Sequence, residues 1–427
     1  MISKAFDMLK NRSFLNLWIA QIFEQMSDSI VWMSMIALAS GTGTEGAFST
    51  SQILVWLTVP MIIFGNISGV YIDRLDRKIL MIVTNAIRAL LVFILAFVIR
   101  SGLPLFFDFF LIFLISSVTQ FFIPAKTSII PNIVEENELI VANSISTSTG
   151  WIITLIGCGL GSISVAHIGI IDSLILALIM YLVSAFFITM IKKSGRPVPV
   201  TEYHEETKDV IRELKEGFKH IIHTDEVAFV VRRMAILMAI VGILLVEVIM
   251  FVNNVLTKNE TIIKGILVIG YIQIAIGIGI ILAPVFLGLA LKKINKTDII
   301  RLSFILSGVI LVFFSLTNSL VVVLCLAPLL GLAFSSVAIL VDTILQLVTP
   351  DKILGRVSAS MITMRNITFV LGATFIGLID KFIGRNIYNA NYFPARFFSF
   401  EQFIFLILGI FLIIYGLITA VRAIRLK

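Results

Sequence analysis

Long apolar stretches recur along almost the whole chain, and they constrain the fold more than any other feature. A bilayer core needs about 20 consecutive apolar residues in helical form, because every backbone polar group inside it must be hydrogen-bonded within the segment. This rule predicts an all-α membrane protein with twelve transmembrane helices in two six-helix halves. The first six are expected near residues 14–40, 50–72, 79–100, 104–126, 142–166 and 170–191. The second six are expected near residues 233–256, 265–291, 298–317, 319–345, 357–380 and 400–423.

The composition and the placement of charge exclude an ordinary soluble domain. Hydrophobic residues make up 59% of the 427 residues and charged residues only 14%, against about 25% charged residues in soluble proteins. Lys and Arg number 33, and most of them fall on one side of the membrane if the N-terminus is cytoplasmic. The net charge of +7 is therefore interpreted as a topology signal and not as a nucleic-acid-binding surface. Both termini are expected in the cytoplasm of a multi-pass protein of the cytoplasmic (inner) membrane.

The longest polar stretch, residues 192–232, separates six predicted helices from six. It predicts an N-terminal half at 1–191, a cytoplasmic linker and a C-terminal half at 233–427. Within the linker Val210, Leu214 and Phe218 recur at helical spacing, which favours an amphipathic helix along the membrane face. A solvated connector helix is the alternative.

The two halves resemble each other in two registers. TSIIPNIVEENELIVANSIS from Thr127 aligns with VDTILQLVTPDKILGRVSAS from Val341 at an offset of 214. GVYIDRLDRK from Gly69 aligns with GLALKKINKT from Gly288 at an offset of 219. These matches indicate a parallel duplication, an arrangement in which transporters form the substrate site between the repeats.

The segment GVYIDRLDRK between predicted helices 2 and 3 resembles the signature of the major facilitator superfamily, with Asp76 in place of its second glycine. NRSFLNLWIAQIFEQMSDS in helix 1 and IPAKTSIIPNIVEENELIVANSI from helix 4 into helix 5 are similar to the exporter branch of that superfamily. That branch includes macrolide-efflux, enterobactin-export and lysophospholipid-transporter proteins. The resemblance implies the major-facilitator fold and transport by alternating access.

The resemblance also implies a gating motif, formed by Gly69, Asp73, Arg74, Arg77 and Lys78. In this motif Asp73 is expected to face the positive N-terminal end of helix 11 and to act as a latch. The basic residues also serve as topology anchors, and that role alone would explain their presence. One departure lies in helix 5, where GCGLG at 157–161 lacks the proline typical of drug/proton antiporters. This departure weighs against antiport of drugs specifically.

Ionisable residues inside a membrane are costly and usually face a cavity that serves transport. Seven residues within the predicted helices are candidates for transport or coupling: Glu24, Asp28, Arg88, Lys126, Glu247, Asp342 and Arg365. The offset of 219 places Asp28 on Glu247, so these two acids are predicted at matching depths. A buried polar contact that holds helices together is the alternative for Asp28 and Glu247, and a structural role is the alternative for Arg88. Snorkelling is the alternative for Lys126 and Asp342. Arg365 is expected to pair with an acid or to meet an anionic substrate.

These features predict a secondary active transporter, a proton-coupled exporter of a small amphipathic solute. A lysophospholipid transporter or flippase-like carrier is the alternative. A membrane enzyme or a receptor is the third class, and it is not expected because no catalytic triad and no clustered metal ligands stand out. ATP-driven pumping is not expected either, because Gly-Lys followed by Ser or Thr does not occur. His220 and His223 lack a third ligand nearby, so no metal and no cofactor are expected. The expected partners are the amphipathic or lipid-like substrate, a proton or other ion and the bilayer, with the chain as a monomer.

Overall fold

The computed structural model describes residues 8, 10–41, 46–72, 75–135, 138–192, 219, 221, 223–258, 260–384 and 399–418. We number the helices α1 to α12 in chain order. The first four are α1 (Arg12–Ser40), α2 (Gly46–Ile72), α3 (Arg77–Arg100) and α4 (Leu105–Ile133). A continuous run, Leu139–Thr189, contains α5 and α6. The remaining helices are α7 (Asp225–Phe251), α8 (Ile262–Ala290), α9 (Lys296–Leu316), α10 (Leu320–Val348), α11 (Asp351–Ile379) and α12 (Phe400–Ile418).

A single glycine divides the long run into α5 and α6. Gly169 has φ 85° and ψ 173°, a conformation that glycine adopts without the steric penalty of a Cβ atom. It separates residues 139–168 from residues 170–189, so the described chain contains the twelve predicted helices. Short π-helical turns, Val252–Leu256 and Asp380–Gly384, continue α7 and α11.

Most of these helices have the length and composition of membrane spans. Ten runs of the described chain qualify, with α5 and α6 counted together. Helix α1 is not among them, because its acids and neighbouring polar side chains lower its mean hydropathy. The helix that departs from the apolar pattern is therefore the one that carries Glu24 and Asp28.

The family-signature segment contains a local reason for the start of α3. The Asp76 carboxylate accepts hydrogen bonds from the backbone N–H of Lys78 at 2.9 Å and of Ile79 at 3.1 Å. An N-cap side chain of this kind satisfies donors that have no partner within the helix. Asp76, where the superfamily signature has glycine, thus caps α3.

The helices pack into two compact units. The first contains residues 1–38 and 56–211, and the second contains residues 39–55 and 212–427. In the first unit α3 packs against α4 and against the α5–α6 run. In the second unit α9 packs against α12, α10 against α8 and α11 against α7.

Glycines allow two helix pairs of the second unit to pack backbone against backbone. A Cβ atom added to Gly279 of α8 would lie 1.8 Å from the Pro328 carbonyl oxygen of α10. One added to Gly372 of α11 would lie 2.0 Å from the Ala239 carbonyl oxygen of α7. Small residues at such contacts are typical of helix packing in membranes, where van der Waals contact replaces the hydrophobic effect between helices.

The linker is where sequence and structure differ most. Helix α7 begins at Asp225, which is earlier than the predicted start near residue 233. Residues 193–218 lie outside the described part of the chain, and most of the predicted amphipathic helix lies there with them.

Candidate functional site

Two acids of α1 converge on one arginine of α3 within the first unit. The Arg88 Nη1 atom lies 2.9 Å from Glu24 Oε1 and 3.3 Å from Asp28 Oδ1. Residues four apart lie on the same face of a helix, so Glu24 and Asp28 approach Arg88 together. We call these residues, with Asn85, Thr119, Phe122 and Tyr181, the Arg88 cluster.

The other members of the Arg88 cluster complete the surroundings of the guanidinium. Nη2 donates to Asn85 Oδ1 at 2.5 Å, and Nη1 donates to Thr119 Oγ1 at 3.5 Å. The rings of Phe122 and Tyr181 each lie with their centroids 4.7 Å from the Cζ atom of Arg88. Aromatic faces attract cations at this distance. Four helices, α1, α3, α4 and α6, therefore hold one cation in place.

Exposure distinguishes the two acids. The side chains of Arg88 and Glu24 are 0% and 3% exposed, whereas that of Asp28 is 37% exposed. The Tyr181 hydroxyl donates a hydrogen bond to Asp28 Oδ1. One guanidinium with two carboxylates is electroneutral only when one carboxyl group holds a proton, and burial favours the neutral arrangement. Of the two acids, Asp28 has the more exposed side chain.

The glycines of GCGLG bring α5 against α1 close to Asp28. A Cβ atom added to Gly157 would lie 2.6 Å from Ser29 Oγ, and one added to Gly161 would lie 3.1 Å from the Ser29 carbonyl oxygen. Earlier in α1, Gln21 Nε2 donates to the Ser146 carbonyl oxygen at 2.7 Å, and Ser146 Oγ donates to Gln21 Oε1 at 2.7 Å. The polar face of α1 is thus held against α5 beside the Arg88 cluster.

Glu247 is buried in α7 of the second unit, with 1% exposed. The matching depth of Asp28 and Glu247, which the offset of 219 predicts, stays a prediction.

Asp342 and Arg365 form an ion pair in the second unit. The Arg365 Nη1 atom lies 3.4 Å from Asp342 Oδ2, which joins α10 to α11. The Asp342 side chain is 43% exposed and the Arg365 side chain is 31% exposed. The sequence-based expectation that Arg365 pairs with an acid agrees with this geometry. Lys126 is buried in α4 at 8% exposed and forms no ion pair with the described acids.

The predicted gating motif is described only in part. Gly69 lies in α2, and Asp73 and Arg74 lie outside the described residues. Arg77 Nη1 donates to the Ser128 carbonyl oxygen of α4 at 2.8 Å, and Lys78 Nζ donates to the Ile191 carbonyl oxygen after α6 at 2.7 Å. Both basic residues therefore fasten the start of α3 within the first unit. The latch between Asp73 and helix 11 stays a prediction.

Sequence reasoning found the charged members of the Arg88 cluster and missed the uncharged ones. Asn85 lies one helical turn before Arg88, which is a local signal for a shared face. Tyr181 and Thr119 carry no such signal, because they come from helices far from Arg88 in the sequence.

The helices and the buried ion cluster are those of a multi-pass membrane transporter. A model of the Major Facilitator Superfamily matches residues 17–373, and the chain belongs to that family. The structure is similar to the crystal structure of the nucleoside transporter NupG, with a TM-score of 0.69 at 15% identity. That match covers 96% of this chain and 98% of NupG. At this identity the likeness shows the fold alone. The family match identifies the chain as a transporter.

Several curated bacterial proteins are similar to the chain. The uncharacterized MFS-type transporter YkuC of Bacillus subtilis (strain 168) is 26% identical over 366 residues, 82% of each chain. The putative bacilysin exporter BacE of the same strain is 28% identical over 201 residues, 47% of this chain and 48% of BacE. Macrolide efflux protein A of Streptococcus pyogenes is 31% identical over 128 residues, 30% of this chain and 31% of that protein. The resemblance to the exporter branch is confirmed.

Proposed function

We propose that the chain is a proton-coupled exporter of a small amphipathic solute and that Asp28 carries the coupling proton. The observation that carries this proposal is the Arg88 cluster, in which two carboxylates share one enclosed guanidinium. The names of two relatives, a putative bacilysin exporter and a macrolide efflux protein, support export as the direction.

Protonation of Asp28 changes the link between α1 and α3. With Asp28 ionised, two carboxylates of α1 attract Arg88, and with Asp28 protonated only Glu24 does so by charge. A proton can shift a conformational equilibrium only if it binds the two states with different affinity. The loss of one of two ion pairs between two helices supplies such a difference. Alternating access then couples proton entry to solute exit.

Everted membrane vesicles test this proposal. A pH gradient, acidic inside, is imposed on vesicles that contain the chain, and three probes are offered: ethidium, Nε-dansyl-lysine and a fluorescent lysophosphatidylethanolamine. We expect gradient-dependent accumulation of a small probe, which an ionophore that collapses the gradient abolishes. Accumulation of none of the probes, or accumulation that survives the ionophore, would contradict proton-coupled export.

The lysolipid tests the alternative function, a lysophospholipid transporter or flippase-like carrier. A carrier of that kind moves the lysolipid between leaflets and leaves the two small probes in place. Transfer of the lysolipid alone would replace the exporter proposal with the lipid carrier.

A further inference from the structure

The Asp342–Arg365 pair is an open charge pair within the second unit. Both helices that carry it, α10 and α11, have the length and apolar composition of membrane spans. Arg365 is in the middle of Asp351–Ile379, and Asp342 lies six residues before the last residue of Leu320–Val348. Because the Cα–Cβ bonds of a helix tilt toward its N-terminus, Arg365 reaches back toward the end of α11 that lies near Asp342.

The exposed parts of this pair are expected to face protein or water-filled space. A charge on the lipid-facing side of a membrane helix is strongly disfavoured, so intramembrane charges face protein or water-filled space. With 31% of Arg365 and 43% of Asp342 exposed, both charged groups are accessible to a polar ligand.

Both residues retain hydrogen-bonding capacity. A guanidinium has five N–H donors and a carboxylate has two acceptor oxygens. The contact between them joins one nitrogen, Nη1, to one oxygen, Oδ2. Arg88 differs, because it is fully enclosed and already contacts two carboxylates, one amide and two aromatic rings. Of these two arginines, Arg365 is the one that a ligand anion can reach.

We propose that Asp342 and Arg365 form a subsite for a zwitterionic head group, with the ligand's ammonium on Asp342 and its oxyanion on Arg365. This inference rests on the proposed function, since it names the chemical class of the exported solute. A partly exposed ion pair contributes little net free energy, so its exchange for two ligand contacts costs little. A ligand with one charge leaves one partner unmatched, which gives the subsite its selectivity.

A series of dansyl compounds tests this subsite by equilibrium binding. Nε-dansyl-lysine carries an ammonium and a carboxylate, its Nα-acetyl derivative lacks the ammonium charge, and dansylcadaverine lacks the carboxylate. Binding is measured by dansyl fluorescence on the purified full-length chain in phosphatidylglycerol nanodiscs without a gradient. We expect the zwitterion to bind about tenfold more tightly than either analogue, the scale of one lost charged hydrogen bond.

Variants assign each contact. Asp342→Asn should abolish the preference for the zwitterion over the acetyl derivative, and Arg365→Gln should abolish its preference over dansylcadaverine. A matched control pair exists in α9, where Arg301 Nη1 lies 3.5 Å from Asp298 Oδ1 and the side chains are 33% and 43% exposed. The Asp298→Asn/Arg301→Gln variant should leave all three affinities within about twofold of wild type. If the single variants do not fold, the charge swap Asp342→Arg/Arg365→Asp should retain the preference for the zwitterion.

Lysophosphatidylethanolamine distinguishes the two sources of such a head group. If Arg365→Gln weakens binding of this lysolipid about tenfold, and the wild-type chain binds lysophosphatidylglycerol about tenfold more weakly than lysophosphatidylethanolamine, the subsite is supported with a lipid as ligand. Equal affinity for all three dansyl compounds together with equal affinity for both lysolipids would overturn the inference. A loss of affinity in the Asp298→Asn/Arg301→Gln variant as large as the loss in Asp342→Asn or Arg365→Gln would also overturn it. Because no gradient is used, failure of proton coupling leaves this result unaffected.

Discussion

Neutralising Arg88 should destabilise the chain more than neutralising Glu24. At an effective dielectric constant of about 20, the attraction across their 2.9 Å contact is about 6 kcal/mol. Desolvation of several kcal/mol for each ion offsets most of that attraction. Arg88→Gln leaves the carboxyl groups of Glu24 and Asp28 without their cation, and loss of one partner of a buried pair costs about 3–5 kcal/mol. Glu24→Gln should cost less, because Asp28 at 3.3 Å still neutralises Arg88.

A double-mutant cycle measures this coupling. The free energy of unfolding is obtained for wild type, Arg88→Gln, Glu24→Gln and the double variant in mixed SDS and detergent micelles, with circular dichroism as the signal. The double variant should recover about 2 kcal/mol relative to the sum of the two single changes. Arg301→Gln is the control, because it breaks a partly exposed pair and should cost less than about 1 kcal/mol. Additivity of the single changes, or an equal cost of Arg88→Gln and Arg301→Gln, would refute the buried-pair reasoning.

Two further predictions concern helix packing and gating. Gly279→Val should destabilise the chain by about 1–3 kcal/mol or more, because its Cβ atom would lie 1.8 Å from the Pro328 carbonyl oxygen. Gly288→Val is the control in the same helix: a Cβ atom there would meet nothing within 4 Å, so it should have little effect on the free energy of unfolding. Asp73→Asn should lower transport while folding survives, if Asp73 meets the end of helix 11. Distances between spin labels on the external ends of the two halves would show whether the outward-facing state is weakened. Unchanged distances together with unchanged transport would exclude the latch.

The helices were predictable because the bilayer imposes a length on every span. The predicted end of one helix near residue 317 and start of the next near residue 319 are confirmed by the break between α9 and α10. The start of α7 was missed because Arg232 and Arg233 interrupt the apolar pattern, so that the apolar residues 227–231 before them were assigned to the linker. Within α7 the Arg233 guanidinium packs over the Phe229 ring, with Cζ 3.1 Å from the ring centroid, and Nη1 donates to the Phe229 carbonyl oxygen at 3.0 Å. A charged residue with such a local partner is compatible with a helix that hydropathy alone would end.

The site was predictable as far as charge reveals it. Glu24, Asp28 and Arg88 stand out because charges are rare in apolar helices, and the structure brings all three together. Tyr181 could not be predicted, because a tyrosine in an apolar helix is ordinary and only the fold brings it to Asp28. The matching depth of Glu247 and Asp28 stays a prediction, because the two acids lie in different compact units.

The proton that Asp28 is proposed to carry is the feature on which export depends most directly. The test is Asp28→Asn in proteoliposomes, with whichever probe the wild-type vesicles accumulate, measured both as gradient-driven accumulation and as exchange without a gradient. Asp298→Asn is the control for loss of an exposed acid. We predict that Asp28→Asn abolishes accumulation and retains exchange. Accumulation by Asp28→Asn at the wild-type rate and level would contradict proton coupling through this residue.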